Sequence, residues 1–166
     1  MKPSVILDTS FLISLTNSNR PNHDVAHQYY QHLLSQNIPI YLSAIVAAEF
    51  EIKQPITDLT LKNFQILPFN ITHAREAAKI WNLLGRHDDS DNRSVVRDDV
   101  KIIAQALHEK IPFVLTEDKR TFWKYCDRLK NSHNLNISAI PLIEGFNLSV
   151  LRLDGQRDLF NQPKDF

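Results

Sequence analysis

Cysteine is all but missing from this 166-residue chain: Cys126 stands alone. No internal disulfide can form, and the composition fits a reducing compartment. Charge of one sign is missing too. Nineteen Lys and Arg residues face nineteen Asp and Glu, so no global field draws the protein to a nucleic acid or a membrane. A polyanion would have to be met by a local basic patch or a bound metal. No apolar stretch nears the roughly 20 residues that span a bilayer. Asp8 interrupts the short apolar run at the N-terminus, unlike a signal peptide. The expectation is a soluble, cytoplasmic protein. Glycine is scarce, three in all. None lies in the acidic stretch of Asp88, Asp89 and Asp91, which thus lacks the turn residue and the distal glutamate of a calcium loop.

What is present is an ordinary globular composition, 43% apolar and 23% charged. The length fits one domain around a single core. Residues 4–7 form an aliphatic run too short for a helix and suited to a strand buried on both faces. Thr9 and Ser10 are placed to cap a helix from Phe11. A helix is expected over 23–36, with Val25, Tyr29, Leu33 and Leu34 on one face. A strand over 39–42 leads to Ser43, the N-cap of a helix that stops before Pro55. Asp58 opens another helix, 66–68 reads as a strand, and 72–84 is a helix ended by Gly85. Residues 86–97 read as a polar loop. Asp98 or Asp99 then starts a helix with Val100, Ile103, Ala104 and Leu107 on one stripe. A strand over 113–115, a helix over 118–130 and a strand over 137–140 complete the pattern. Strands separated by helices imply right-handed βαβ units and an α/β sandwich.

Four acids sit beside or inside apolar runs: Asp8, Glu49, Asp99 and Asp118. Asp8 and Asp118 follow strands, Glu49 lies in the second turn of a helix, and Asp99 lies at a helix N-terminus. In an open parallel sheet, ligands bind beyond the carboxyl ends of the strands, and all four placements suit one crevice. Two charges 4 Å apart repel by about 4 kcal/mol at an effective dielectric of about 20; a divalent ion turns that repulsion into binding. Thr9, Ser10 and Thr116 add hydroxyls able to orient carboxylates. Taken singly, Asp8 and Asp99 could be N-caps and Glu49 a half-exposed helix residue.

The segments LDTSFLI at 7–13, SAIVAAE at 43–49, DVKIIAQA at 99–106 and LTEDKRTF at 115–122 resemble those of PIN-domain proteins, most of all the VapC-type toxins. The stretch FNITHAREAAKIW at 69–81 resembles the connecting helix of that family. The resemblance covers residues 4–140 in the family's order. It implies a three-layer α/β/α sandwich around a mostly parallel sheet, with a nuclease domain over 1–140 and an extension over 141–166 packed on it. It further implies a metal-dependent endoribonuclease that hydrolyses RNA. Asp8, Glu49, Asp99 and Asp118 would be its catalytic acids and the ligands of Mg²⁺ or Mn²⁺. Thr116 matches the hydroxyl residue two before the last acid. Asp98 could replace Asp99, although the DxxIIAxA register favours Asp99. Homodimerisation and neutralisation by a small antitoxin are the family's other implications.

Oxygen-only ligands suit a hard cation better than zinc, and no histidine is placed by motif as a general base. Lys119, Arg120 and Lys124 beside Asp118, with Arg86, Arg93 and Arg97, are candidates to grip phosphates. One rival reading is a non-catalytic module that uses the same crevice to hold a protein or RNA partner. Another is phosphoryl transfer through Asp8, for which the second acid of a DxD pair is missing because residue 10 is Ser. His23 and His27 are spaced for zinc, but no HExxH glutamate accompanies them. Trp81 and Trp123 read as packing residues.

Overall fold

The computed structural model describes residues 3–85 and 93–153. Five strands, β1 Val5–Leu7, β2 Ile40–Ser43, β3 Gln65–Leu67, β4 Phe113–Thr116 and β5 Ser138–Pro141, form one sheet in the order β3-β2-β1-β4-β5. Every pairing is parallel, with Leu7 opposite Leu115 and Ile6 opposite Tyr41. Val5, Ile6 and Leu7 are all fully buried. Successive strand residues point to opposite faces, so helices must cover both, as expected for the sandwich.

The helices are α1 Thr9–Thr16, α2 His23–Ser35, α3 Ala44–Lys53, α4 Ile71–Leu84, α5 Arg93–His108 and α6 Lys124–His133. Each start has a local cause. Ser43 caps α3 by accepting the Ile45 N–H at 3.1 Å. Asn70 caps α4, and His73 completes a reciprocal capping box. Gly85, at φ +66°, closes α4 in a backbone region that side chains disfavour.

Several expectations are corrected. Asp8, not Thr9 or Ser10, is the N-cap of α1; Thr9 and Ser10 are its first residues. Asp58 ends a 3₁₀ turn, Ile56–Asp58, and a second turn, Leu61–Asn63, follows in place of a helix. The apolar face of α2 is Ala26, Tyr29 and Leu33, while Leu34 is 39% exposed. Residues 93–97 are helical, so α5 begins before Asp98. Buried Val96 extends the stripe of Val100 and Ile103 by one more turn, which the surrounding polar residues disguise. The segment after Asp118 opens as a π-helical turn, Lys119–Trp123, before α6. Residues 86–92 of the expected polar loop, with Arg86, Asp88, Asp89 and Asp91, lie outside the described residues, as do 154–166.

Candidate metal centre

The chain runs from β1 through β2 to β3 on one side of the sheet, then returns to place β4 and β5 on the other. The carboxyl ends of β1 and β4 therefore flank the switch point in strand order, where open α/β sheets bind ligands. Asp8 leaves β1 there, and its backbone N–H still donates to the Leu115 carbonyl at 3.0 Å. Its Oδ1 accepts the Thr9 N–H, and its Oδ2 accepts the Ser10 and Thr116 hydroxyls, all at 2.8 Å. Thr116 Oγ1 in turn accepts the Asp118 N–H at 3.0 Å, and Ser10 Oγ accepts the Glu117 N–H at 2.9 Å. Each hydroxyl thus spends its one proton on Asp8 and ties the end of β4 to it.

Asp118 caps the π-turn, its Oδ1 accepting the N–H groups of Arg120 and Thr121 at 2.9 Å. Its Oδ2 accepts the Thr121 hydroxyl in a short hydrogen bond, and the same hydroxyl lies 3.1 Å from Asp99 Oδ2. Glu49, half-buried on α3, accepts the Thr9 hydroxyl in a short bond. Asp98 pairs with Lys101 at 2.9 Å, so Asp99 rather than Asp98 faces Asp8 and Asp118. The helix-terminus support expected for Asp99 is absent because α5 begins at Arg93, six residues earlier.

The electrostatics follow from this geometry. Burial, and then the charge of Asp118, raise the Asp8 carboxyl despite its three hydrogen-bond donors. Burial also raises Glu49, with Asp8 and Asp98 adding to it. Asp99 is pushed up to about 9, first by burial and then by Asp8 and Asp118. Thr121 carries one hydroxyl proton for two carboxylate oxygens. A carboxyl proton on Asp99 resolves the conflict: Asp99 donates to Thr121, and Thr121 donates to Asp118.

Among the described residues, none of the four acids takes part in a salt bridge. Buried charges are paired or coordinate metals. Four oxygen donors from separate elements, with Lys53 near Glu49 as a cationic neighbour but no described ion pair to any of the four, fit a hard divalent ion such as Mg²⁺ or Mn²⁺.

The other candidates fall elsewhere. Lys119 pairs with Glu144 at 2.8 Å, with its ammonium 5.6 Å from the Trp123 ring centroid. Arg120 is exposed beside the crevice, while Arg97 lies over Trp81 at 5.8 Å. The His23 and His27 rings are 6.0 Å apart, and His23 Nδ1 is bonded to the Ser14 carbonyl. Only one trio of His, Asp and Glu groups among the described residues has its ligand atoms all within 4.8 Å: His73, His108 and Glu109. Here His73 Nδ1 accepts the Asn70 N–H at 3.2 Å, so Nε2 carries the ring proton and donates to Glu109 at 2.8 Å. A metal on Nε2 would require the proton on Nδ1, against the Asn70 N–H. This trio is a hydrogen-bonded brace between α4 and α5.

Sequence reasoning missed two features. Thr121 is one. Glu117 is the other: burial favours its neutral form, but hydrogen bonds from Ser14, Arg20 and Asn22 bring its carboxyl below the usual range. Its 2.6 Å bonds to Ser14 and Arg20 fasten α1 and the loop after it to the end of β4. A Thr three residues after an N-cap Asp was the available signal for Thr121; nothing local marks Glu117.

The PIN domain family model matches residues 5–127. FitAcB from Neisseria gonorrhoeae is similar in structure, with a TM-score of 0.60 and 18% identity over 84% of this chain and 98% of that one. VapC20 from Mycobacterium tuberculosis, described as a sarcin-ricin loop cleaving toxin, gives 0.51 and 19% over 71% and 92%. VapBC2 from Rickettsia felis, bound to a DNA fragment from its promoter, gives 0.52 and 18% over 82% and 97%. At these identities the likeness establishes the fold. No curated protein matches the sequence.

Proposed function

This chain belongs to the PIN domain family, and from that premise we propose that it is a metal-dependent endoribonuclease, the toxin of a type II toxin–antitoxin pair. What supports the reading is that burial, and then the charges of Asp8, Glu49 and Asp118, raise the carboxyls of Asp8, Glu49 and Asp99 beside the sheet's switch point, with no salt bridge to any of the four acids among the described residues. A non-catalytic module would gain nothing from gathering charges that raise one another's proton affinity.

Asp8, Asp99 and Asp118, with Glu49 from α3, would hold Mg²⁺ or Mn²⁺. When bound, such an ion neutralises the scissile phosphate and acidifies a water. The protein's own contribution is placement. Ser10 and Thr116 fix the Asp8 carboxylate in one orientation, and Thr9 does the same for Glu49. Occupation by a cation offsets the repulsion that raises Asp99, and the Asp99 proton leaves as the ion enters. Exposed Arg120, beside the crevice, is the foremost contact to the RNA backbone, with Lys119 and Arg97 joining it if they leave Glu144 and Trp81, and such contacts make binding salt-sensitive. The toxin reading carries over VapC20's description and brings two further proposals, a homodimer and a small antitoxin partner.

The test is cleavage of single-stranded and structured RNA with Mn²⁺, with EDTA as control. Cleavage that EDTA abolishes, and that Asp8→Asn or Asp99→Asn eliminates in a folded protein, is the expected result. RNA binding without cleavage by the wild type, at any Mn²⁺ concentration, would leave the binding-module reading in its place.

A further inference from the structure

Thr121 is the one described hydroxyl that touches the carboxylates of two of the four acids. Asp99 and Asp118 lie on separate elements, α5 and the π-turn, and no backbone hydrogen bond fixes one relative to the other. Thr121 spans them. Its N–H binds Asp118 Oδ1 at 2.9 Å, its hydroxyl binds Asp118 Oδ2, and the same oxygen lies 3.1 Å from Asp99 Oδ2. The residue is 8% exposed, and the fully buried Phe122 anchors the turn beside it. A β-branched side chain has few χ1 choices, so its oxygen is held in place. The π-turn closes with the Trp123 N–H on the Asp118 carbonyl at 3.2 Å, and such wide turns frequently mark functional sites.

We propose that Thr121 is a positioning residue of the ion site, setting the distance between the Asp99 and Asp118 carboxylates before the cation arrives. This rests on the reading of the crevice as a divalent-ion site. Thr121 ties the Asp99 and Asp118 carboxyl groups together through one hydroxyl before the cation arrives. Groups that orient metal ligands in this way typically account for about 10–100-fold in affinity.

The experiment compares wild type, Thr121→Val and Thr121→Ser by calorimetric titration with Mn²⁺ in the absence of RNA, well below the melting temperature. Thr121→Val removes the hydroxyl and keeps the branched shape; Thr121→Ser keeps the hydroxyl. The expected result is Mn²⁺ affinity weakened roughly 10–100-fold in Thr121→Val and restored in Thr121→Ser, with cleavage by Thr121→Val recovering at saturating Mn²⁺. If the valine variant does not fold, Thr121→Ala against Thr121→Ser gives the same contrast. Wild-type affinity in the hydroxyl-free variant, or equal weakening in the serine variant, overturns the proposal while leaving the nuclease reading intact. A wild type that neither binds Mn²⁺ nor cuts RNA overturns both.

Discussion

Asp99 is where the electrostatic cost of the crevice concentrates. Its carboxyl is held at about 9 by burial and by Asp8 and Asp118, against an ordinary value of 3.8. Between those values the folded protein keeps a proton that the unfolded chain has released, so stability falls as pH rises. The melting temperature of the metal-free protein is expected to drop between about pH 5 and about pH 9, and Mn²⁺ to flatten that slope. A melting temperature that climbs over this range contradicts the assignment. Asp99→Asn removes the repulsion and should stabilise the metal-free protein at alkaline pH, by about 2–4 °C for each kcal/mol relieved. The same variant should abolish detectable cleavage, a loss of at least roughly 10³-fold in kcat/KM or about 4 kcal/mol of transition-state stabilisation. Gain of stability with loss of activity is the signature of a functional charge. The four acids were legible as residues because each interrupts an apolar frame. Thr121 was not, because its role depends on a turn whose width no local pattern announces.

Among the elements, α5 bears the greatest burden. It carries Asp99 into the crevice, and fully buried Gln105, two turns on, pins it to the sheet. Gln105 Oε1 accepts the Ser43 hydroxyl in a short bond, and Nε2 donates to the Pro68 carbonyl at 3.1 Å. Gln105→Ala leaves these groups buried without a partner, at a cost of about 2–3 kcal/mol. Urea denaturation should read that loss as a lower midpoint with an unchanged slope. At the start of α4, Asn70→Ala should cost about 1 kcal/mol through loss of the cap, read by the same titration. The apolar stripe of α5 was visible from Val100 onward, while the helix expected over 118–130 is divided between the π-turn, which buries Phe122, and α6, which buries Tyr125, Cys126 and Leu129. The first turn of α5 was hidden because only Val96 of residues 93–97 is buried. The buried face of α4 was hidden for a related reason. Its buried residues are His73, Ile80 and Leu84, and a buried histidine among alanines does not look like core.

For the molecule as a whole, the parallel sheet was legible because its strands are aliphatic on both faces. The order of the strands followed from connection rules only as a class, yet that order brings residues 110 positions apart, Asp8 and Asp118, to one edge. The proposal that residues beyond 140 belong to the same domain rests on Leu142 and Leu151, both in the common core. Deleting residues 142–166 removes both side chains, and each such loss costs about 2–5 kcal/mol. A truncated protein without a cooperative thermal transition is the expected outcome; a melt matching full length would separate the extension from the domain. The central claim concerns where a cation goes. Its most direct measurement is an anomalous difference map from crystals of the full chain grown with Mn²⁺. The account predicts a peak among Asp8, Asp99 and Asp118. Density confined to the His73, His108 and Glu109 brace, or an empty crevice at saturating Mn²⁺, would contradict it.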